Sequence, residues 1–162
     1  EHFGKLAQRI VDSLDHDVLV ICGPAERDLA RDIVRRADRG RVFSLADQAL
    51  GLPTSKGCIG RSRLMVSTDS GPRHVAAALG KPVITLLGPT MPIWIENPTV
   101  AGVNLQLDLD CIGCRKRICP AGHHKCMREL SVDAVYEEVV KALKQSSHGQ
   151  ADETRHDLID TV

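Results

Sequence analysis

Two short apolar runs, Leu64-Met65-Val66 and Val83-Ile84-Thr85-Leu86-Leu87, flank a segment of helical character, and the whole reads LMVSTDSGPRHVAAALGKPVITLLGPT. This stretch constrains the fold more than any other. The apolar runs have the length and polar boundaries of strands. Between them Asp69-Ser70-Gly71 turns the chain, Ser70 stands where a helix N-cap belongs, and Pro72 fits a first turn that needs no donor from it. Ala76, Ala77, Ala78 and Leu79 carry the helix on, Gly80 closes it, and Lys81-Pro82 blocks extension. A strand–helix–strand unit of this size predicts two parallel strands joined by a right-handed crossover.

The chemistry of the unit lies at its turn. A helix N-terminus offers unpaired N–H groups and a partial positive charge, which suits a phosphate. Gly71 permits close approach of a ligand to the backbone, and His74, in the first turn, carries a ring N–H to the same mouth. The carboxylate of Asp69 repels phosphate and suits sugar hydroxyls instead. The plainer reading of the same residues is a helix start in which Asp69 and Ser70 only hold the turn.

The rest of the chain alternates in the same manner. Phe3, Leu6, Ile10 and Leu14 form a stripe at helical spacing, and Val18-Leu19-Val20-Ile21-Cys22 is a continuous, buried type of strand. Gly23-Pro24 turns into a helix over 26–37 with Leu29, Ile33 and Val34 inward, and Arg35, Arg36 and Arg39 complement the end of its dipole. A short strand at 41–43, a loop over 44–55 and a short helix over 54–62 lead to Leu64. Beyond Thr90, Trp94 reads as a packing residue. Residues 103–109 read as an edge strand, and Ser131 caps a last helix striped by Val132, Val135, Val139 and Leu143. The order predicts an α/β, Rossmann-like, doubly wound parallel sheet lacking its first strand. One domain spans 1–145, with a Cys-rich loop at 110–127, and 146–162 is a polar, weakly ordered tail.

Composition removes several classes of function. Lys plus Arg equals Asp plus Glu at 21 each, so no bulk field attracts nucleic acid. The aromatics are Phe3, Phe43, Trp94 and Tyr136 alone, too few for a base-stacking platform. No apolar run reaches the roughly 18 residues of a membrane-spanning helix, and Glu1-His2-Phe3 does not read as a signal peptide.

Four of the six cysteines fall together as Cys111-x2-Cys114-x4-Cys119-x6-Cys126. Three readings stand open for them: a structural zinc site with His123 and His124 as alternates, disulfide pairing, or free thiols in a knotted loop. The spacing matches neither common ferredoxin pattern. The α/β pattern around them argues for a reducing, cytoplasmic setting rather than a disulfide scaffold. Nothing in the sequence couples these thiols to the phosphate-binding mouth.

The string TDSGPRHVAAALGKPVITLLGPT resembles the signature of glycosyltransferase family 9, whose best-known members are ADP-heptose:lipopolysaccharide heptosyltransferases. The resemblance extends to Gly23-Pro24-Ala25-Glu26-Arg27, to the cysteine cluster and to the Cys126-Met127 helix, over roughly residues 1–145. It implies the C-terminal half of a GT-B fold, and with it a transferase of lipopolysaccharide biosynthesis working at the inner face of the inner membrane. The donor, an ADP-heptose-like nucleoside-diphosphate sugar, would be held by Glu26, Asp69, Ser70, Gly71 and His74. Glu26 is either a ribose contact, as the resemblance implies, or a first-turn residue favourable to the helix dipole. A saccharide or lipid-linked acceptor would be held by a separate N-terminal domain. The resemblance further implies a general base on that domain and a phosphate-contacting lysine at a position just upstream of residue 1. No catalytic residue is therefore assigned in this chain, which alone is expected not to turn over. The reading requires no cofactor for catalysis; structural zinc at Cys111, Cys114, Cys119 and Cys126 is the one candidate. The rival readings are a nucleotide-sugar epimerase-like domain and a zinc-stabilised interaction module without a small-molecule site.

Overall fold

The computed structural model describes residues 1–94 and 101–156, with Trp94 and 146–156 described in the backbone only. The reading of Trp94 as a packing residue thus lies outside the described side chains. Helix α1 (His2–Leu14) buries Gly4, Leu6, Ala7 and Ile10. It leads to strand β1 (Val18–Val20), helix α2 (Arg27–Ala37) and strand β2 (Val42–Ser44). Helix α3 (Leu52–Arg61) follows, then strand β3 (Met65–Thr68), helix α4 (Gly71–Ala78) and strand β4 (Val83–Leu86). Strand β5 (Gly102–Leu105), the short helix α5 (Lys125–Arg128) and helix α6 (Val132–His156) complete the order.

Every paired strand is parallel, but in two ladders rather than one sheet. β1 pairs with β2, Leu19 opposite Phe43; β4 pairs with β3 on one side and β5 on the other, Ser67 opposite Thr85 and Ile84 opposite Val103. α2 links β1 to β2 and α4 links β3 to β4, and because the paired strands are parallel their carboxyl ends lie along one edge of each ladder. α1, α2 and α6 pack together on one face, and α3 and α4 pack together on the other. The change of layer falls between β1 and β3, which is where the ladders part. Burial follows pairing. β4, with a neighbour on each side, is buried throughout, whereas β1 and β3, each with one neighbour, are largely half-exposed.

The two ladders share a core through α1. Leu6 and Ile10 join Ile84, Leu86, Leu130, Val135 and Val139 in one cluster, with Val18 of β1 and Val66 of β3 packed against it. α2 presents Ala30, Ile33 and Ala37 inward, and Leu29, expected inward, is 59% exposed. The cause is close approach: a Cβ on Gly4 would stand 2.8 Å from that of Arg36. At that spacing alanines rather than leucines fill the contact between α1 and α2. The basic residues at the end of α2 are in surface ion pairs. Arg36 bonds Asp32 at 2.5 Å, and Arg39 reaches Asp12 on α1 at 2.7 and 2.9 Å.

Ser131 caps α6 as expected, its Oγ accepting the Ala134 N–H at 3.1 Å. α6 runs on to His156, so its last turns extend into the polar segment expected as a tail, and residues 157–162 lie outside the described residues. The edge strand expected over 103–109 is shorter in the structure, Gly102–Leu105. Among the described residues no helix is long and apolar enough to cross a membrane.

Candidate functional site

The turn between β3 and α4 forms as the sequence predicts, with one change in detail. Ser70 occupies the N-cap position in extended conformation (φ −148°, ψ 167°), yet its hydroxyl makes no capping bond. Instead the Ser70 and Ser67 hydroxyls lie 3.0 Å apart, and Ser67 donates its proton to the Thr68 carbonyl at 2.9 Å. Ser67 has one proton to give, so Ser70 is the donor between the two hydroxyls. The Ser70 oxygen is thus turned toward the sheet and away from the first helical N–H groups. Arg73 N–H bonds back to the Ser70 carbonyl at 3.2 Å, and Pro72 has no N–H. Nothing lies within 4 Å of where a Cβ on Gly71 would stand, so the approach to the backbone is open. An open helix end with an unused cap can accept an anion.

Behind this mouth stands a residue that the sequence reading passed over. Ser67, Arg73 and Thr85 are the buried polar or charged residues among those described, and all three belong to β3, α4 and β4. Arg73 is 8% exposed. Its Nε donates to Thr85 Oγ1 at 3.2 Å, and one terminal nitrogen lies 3.7 Å from the Asp69 carboxylate and 3.4 Å from Nε2 of His74. Two signals in the sequence point to it: Asp69 four residues before Arg73 on a helix start, and Thr85 as the one hydroxyl in an apolar strand. His74 itself is exposed. The structure therefore brings Asp69, Ser70, Gly71 and His74 together and adds Arg73 beneath them.

Glu26 lies past the carboxyl end of β1, on the same edge but beside the other ladder. Its Oε2 accepts the Gly23 N–H at 2.9 Å, closing the turn that opens α2. Between the two readings of Glu26, this bond supplies a local task and leaves the carboxylate exposed.

The cysteine loop packs on the segment that follows β4. It folds over Gly88-Pro89-Thr90, the segment that follows β4 and neighbours the β3–α4 turn. Arg115 N–H bonds the Pro89 carbonyl at 3.1 Å, and the Gln106 amide donates to the Gly88 and Thr90 carbonyls at 3.0 and 2.7 Å. Gly88 admits Met127 and Cys126: a Cβ there would meet Met127 Sδ at 2.9 Å. Cys111, Cys114, Cys119 and Cys126 line one pocket with Pro89 and His124, and none is in a disulfide. Gly113 (φ 81°) makes one of the tight turns. Backbone N–H groups, that of His124 first, hold the Cys119 thiol below its ordinary value; burial first, then the three neighbouring thiols, pushes Cys126 up. The imidazoles are engaged within the loop, His124 Nε2 accepting the Cys119 N–H at 2.8 Å and His123 Nδ1 that of Lys125 at 3.1 Å. Among the described residues no three His, Cys, Asp or Glu side chains are placed to hold a metal ion. The thiols share a pocket without converging as tetrahedral zinc requires.

Comparison with known proteins bears on the whole of this architecture. The model of glycosyltransferase family 9 (heptosyltransferase) matches residues 1–125. A lipooligosaccharide heptosyltransferase 2 of Campylobacter jejuni is 31% identical over 153 residues, which cover 90% of this chain and 46% of the relative. One of Haemophilus ducreyi is 35% identical over 149 residues, 88% of this chain and 42% of the relative. The chain thus spans a little under half the length of these relatives. Among solved structures, the ADP-heptose LPS heptosyltransferase II of E. coli superposes with a TM-score of 0.72 at 23% identity, over 90% of this chain and 41% of the other. A family 9 glycosyl transferase of Veillonella parvula gives 0.75 at 20% identity, over 89% and 41%.

Proposed function

The chain belongs to glycosyltransferase family 9, and from that premise we propose that it is the donor-binding half of a GT-B sugar transferase. The observation that carries the reading is the start of α4, where Ser70 withholds its cap and Gly71 leaves the backbone open. The diphosphate of a nucleoside-diphosphate sugar seats on that helix end, with the ring N–H of His74 beside it. The Asp69 carboxylate faces sugar hydroxyls, and Glu26, past the end of β1, has the place of a ribose contact.

In the transfer, the bond between the anomeric carbon and the terminal phosphate oxygen breaks as an acceptor hydroxyl forms the new glycosidic bond. Charge grows on the departing diphosphate. The fixed dipole of α4 and the cation of Arg73 behind it stabilise that charge without moving, which is where catalysis gains most. The acceptor's proton goes to a base outside this chain, and the acceptor is held there too. The names of the relatives favour an ADP-heptose-like donor and a lipid-linked saccharide acceptor, and the proposal extends to work at the inner face of the inner membrane.

Calorimetric titration of the chain with ADP and with ADP-heptose tests the reading. Saturable binding of ADP, tighter for the sugar nucleotide, is expected. Absence of heat with either, in folded protein, would leave the helix end a structural turn and favour an interaction module.

A further inference from the structure

An arginine buried at the third position of α4 calls for a reason. A methionine or leucine of similar reach would fill the space between α4 and β4 without taking a guanidinium out of water, which is costly even when the charge is paired. The Asp69 carboxylate lies 3.7 Å from the Arg73 guanidinium, and Thr85, itself 2% exposed, accepts its Nε–H at 3.2 Å. The informative contact is with His74: a terminal guanidinium nitrogen lies 3.4 Å from its Nε2.

A guanidinium donates five N–H bonds and accepts none. Where it faces an imidazole nitrogen, that nitrogen is the acceptor, so a neutral ring carries its proton on the other nitrogen. We propose that Arg73 is a positioning residue for the donor site, acting through His74: it selects the Nδ1–H tautomer and aims that N–H at the mouth of α4. The role rests on the donor-site reading above for its purpose but not for its geometry. It divides the labour at the helix end. The permanent positive charge belongs to buried Arg73, and His74 contributes an oriented ring N–H at the surface. Asp69 and Thr85 keep the guanidinium from turning away from the imidazole. A purely structural Arg73, tying α4 to β4 through Thr85, would leave the ring of His74 free to choose its tautomer.

The test is a long-range 1H–15N spectrum of 15N-histidine-labelled full chain at about pH 8.5, above the ordinary histidine range, with His74 assigned through His74→Gln. The expected wild-type pattern is the Nδ1–H tautomer, the minority form of free imidazole side chains. Arg73→Met should return His74 to Nε2–H and weaken ADP binding about tenfold. A wild-type Nε2–H pattern overturns the proposal even if Arg73→Met fails to fold. An Nδ1–H pattern that persists in folded Arg73→Met overturns it too. If the wild-type chain does not bind ADP, the donor-site reading falls, while the tautomer of His74 still decides the relation between the two residues.

Discussion

The hydroxyl of Ser70 lies 3.0 Å from that of Ser67 and on the sheet side of its own helix, not over the N–H groups it stands closest to in sequence. A serine at an N-cap ordinarily stabilises its helix by about 1 kcal/mol through the bond omitted here. Its omission keeps the helix end available, and Ser67→Ala tests the trade. Without its partner at Ser67 the Ser70 hydroxyl can turn and cap α4. ADP affinity is then expected to fall about threefold or more by titration, with little change in melting temperature.

Gly71 and His74 should matter to ligand and not to fold. Gly71 has open space where a Cβ would stand and His74 is exposed, so both Gly71→Val and His74→Ala are expected to melt near wild type. The valine fills the approach to the backbone, and the alanine removes one hydrogen bond of about 1 kcal/mol. ADP binding should weaken roughly tenfold or slightly less for His74→Ala and more for Gly71→Val. Unchanged affinity in both would remove the pyrophosphate from α4.

The cysteines should react unequally. Backbone N–H groups favour the thiolate of Cys119, whereas burial and neighbouring thiols disfavour that of Cys126. Thiolate is the nucleophile, so at neutral pH iodoacetamide should modify Cys119 before Cys126, without prior chelation. Peptide mapping of a time course reads the order. About one zinc per chain, protecting all four thiols until a chelator is added, would show that the loop contracts around metal.

The aspartates that pair with arginines set an acid limit. Hydrogen bonds from Arg39 to Asp12, from Arg41 to Asp15 and from Arg36 then Arg35 to Asp32 lower these carboxyl groups in the folded chain. A lowered folded value contributes stability above the ordinary aspartate range of about 4, and that contribution is lost as pH falls through the lowered values. Melting temperature should therefore decline below about pH 4, and Asp12→Asn should make the decline shallower. All three groups face solvent, so added salt should mimic part of the effect.

Gly102 is expected to be the glycine least tolerant of change. Its φ is 150°, and a Cβ there would stand 2.0 Å from the Val83 carbonyl oxygen in the neighbouring strand. Gly102→Ala should lower unfolding free energy by about 2–3 kcal/mol in urea titration. Gly40, with nothing within 4 Å of its added Cβ, is the control, and Gly40→Ala should change it by less than about 1 kcal/mol.

How much of this was legible depended on whether the cause is local. The β3–α4–β4 unit is written in adjacent residues, Asp69-Ser70-Gly71-Pro72 at one end of the helix and Gly80-Lys81-Pro82 at the other, and it folds as read. The inward face of α2 was misjudged at Leu29 because closeness to α1 is set by Gly4, more than twenty residues away. Arg73 was missed because its partner Thr85 lies on the next strand, and a charged residue in a helix reads as solvated until packing says otherwise. The docking of the cysteine loop is equally non-local: Gln106 and Arg115 bond the carbonyls after β4, contacts that no spacing announces.

The parting of the two ladders leaves a seam that side chains alone hold together. Among the described residues no backbone hydrogen bond joins β1 and β2 to β3, β4 and β5, so α1, with Leu6 and Ile10, acts as a splint across the seam. Glu26 rides on one side of the seam and Asp69 on the other. The separation of the two carboxylates is therefore set by side-chain packing across the seam, Leu6 and Ile10 of α1 in one cluster and Ile21 in another, and not by ladder hydrogen bonds.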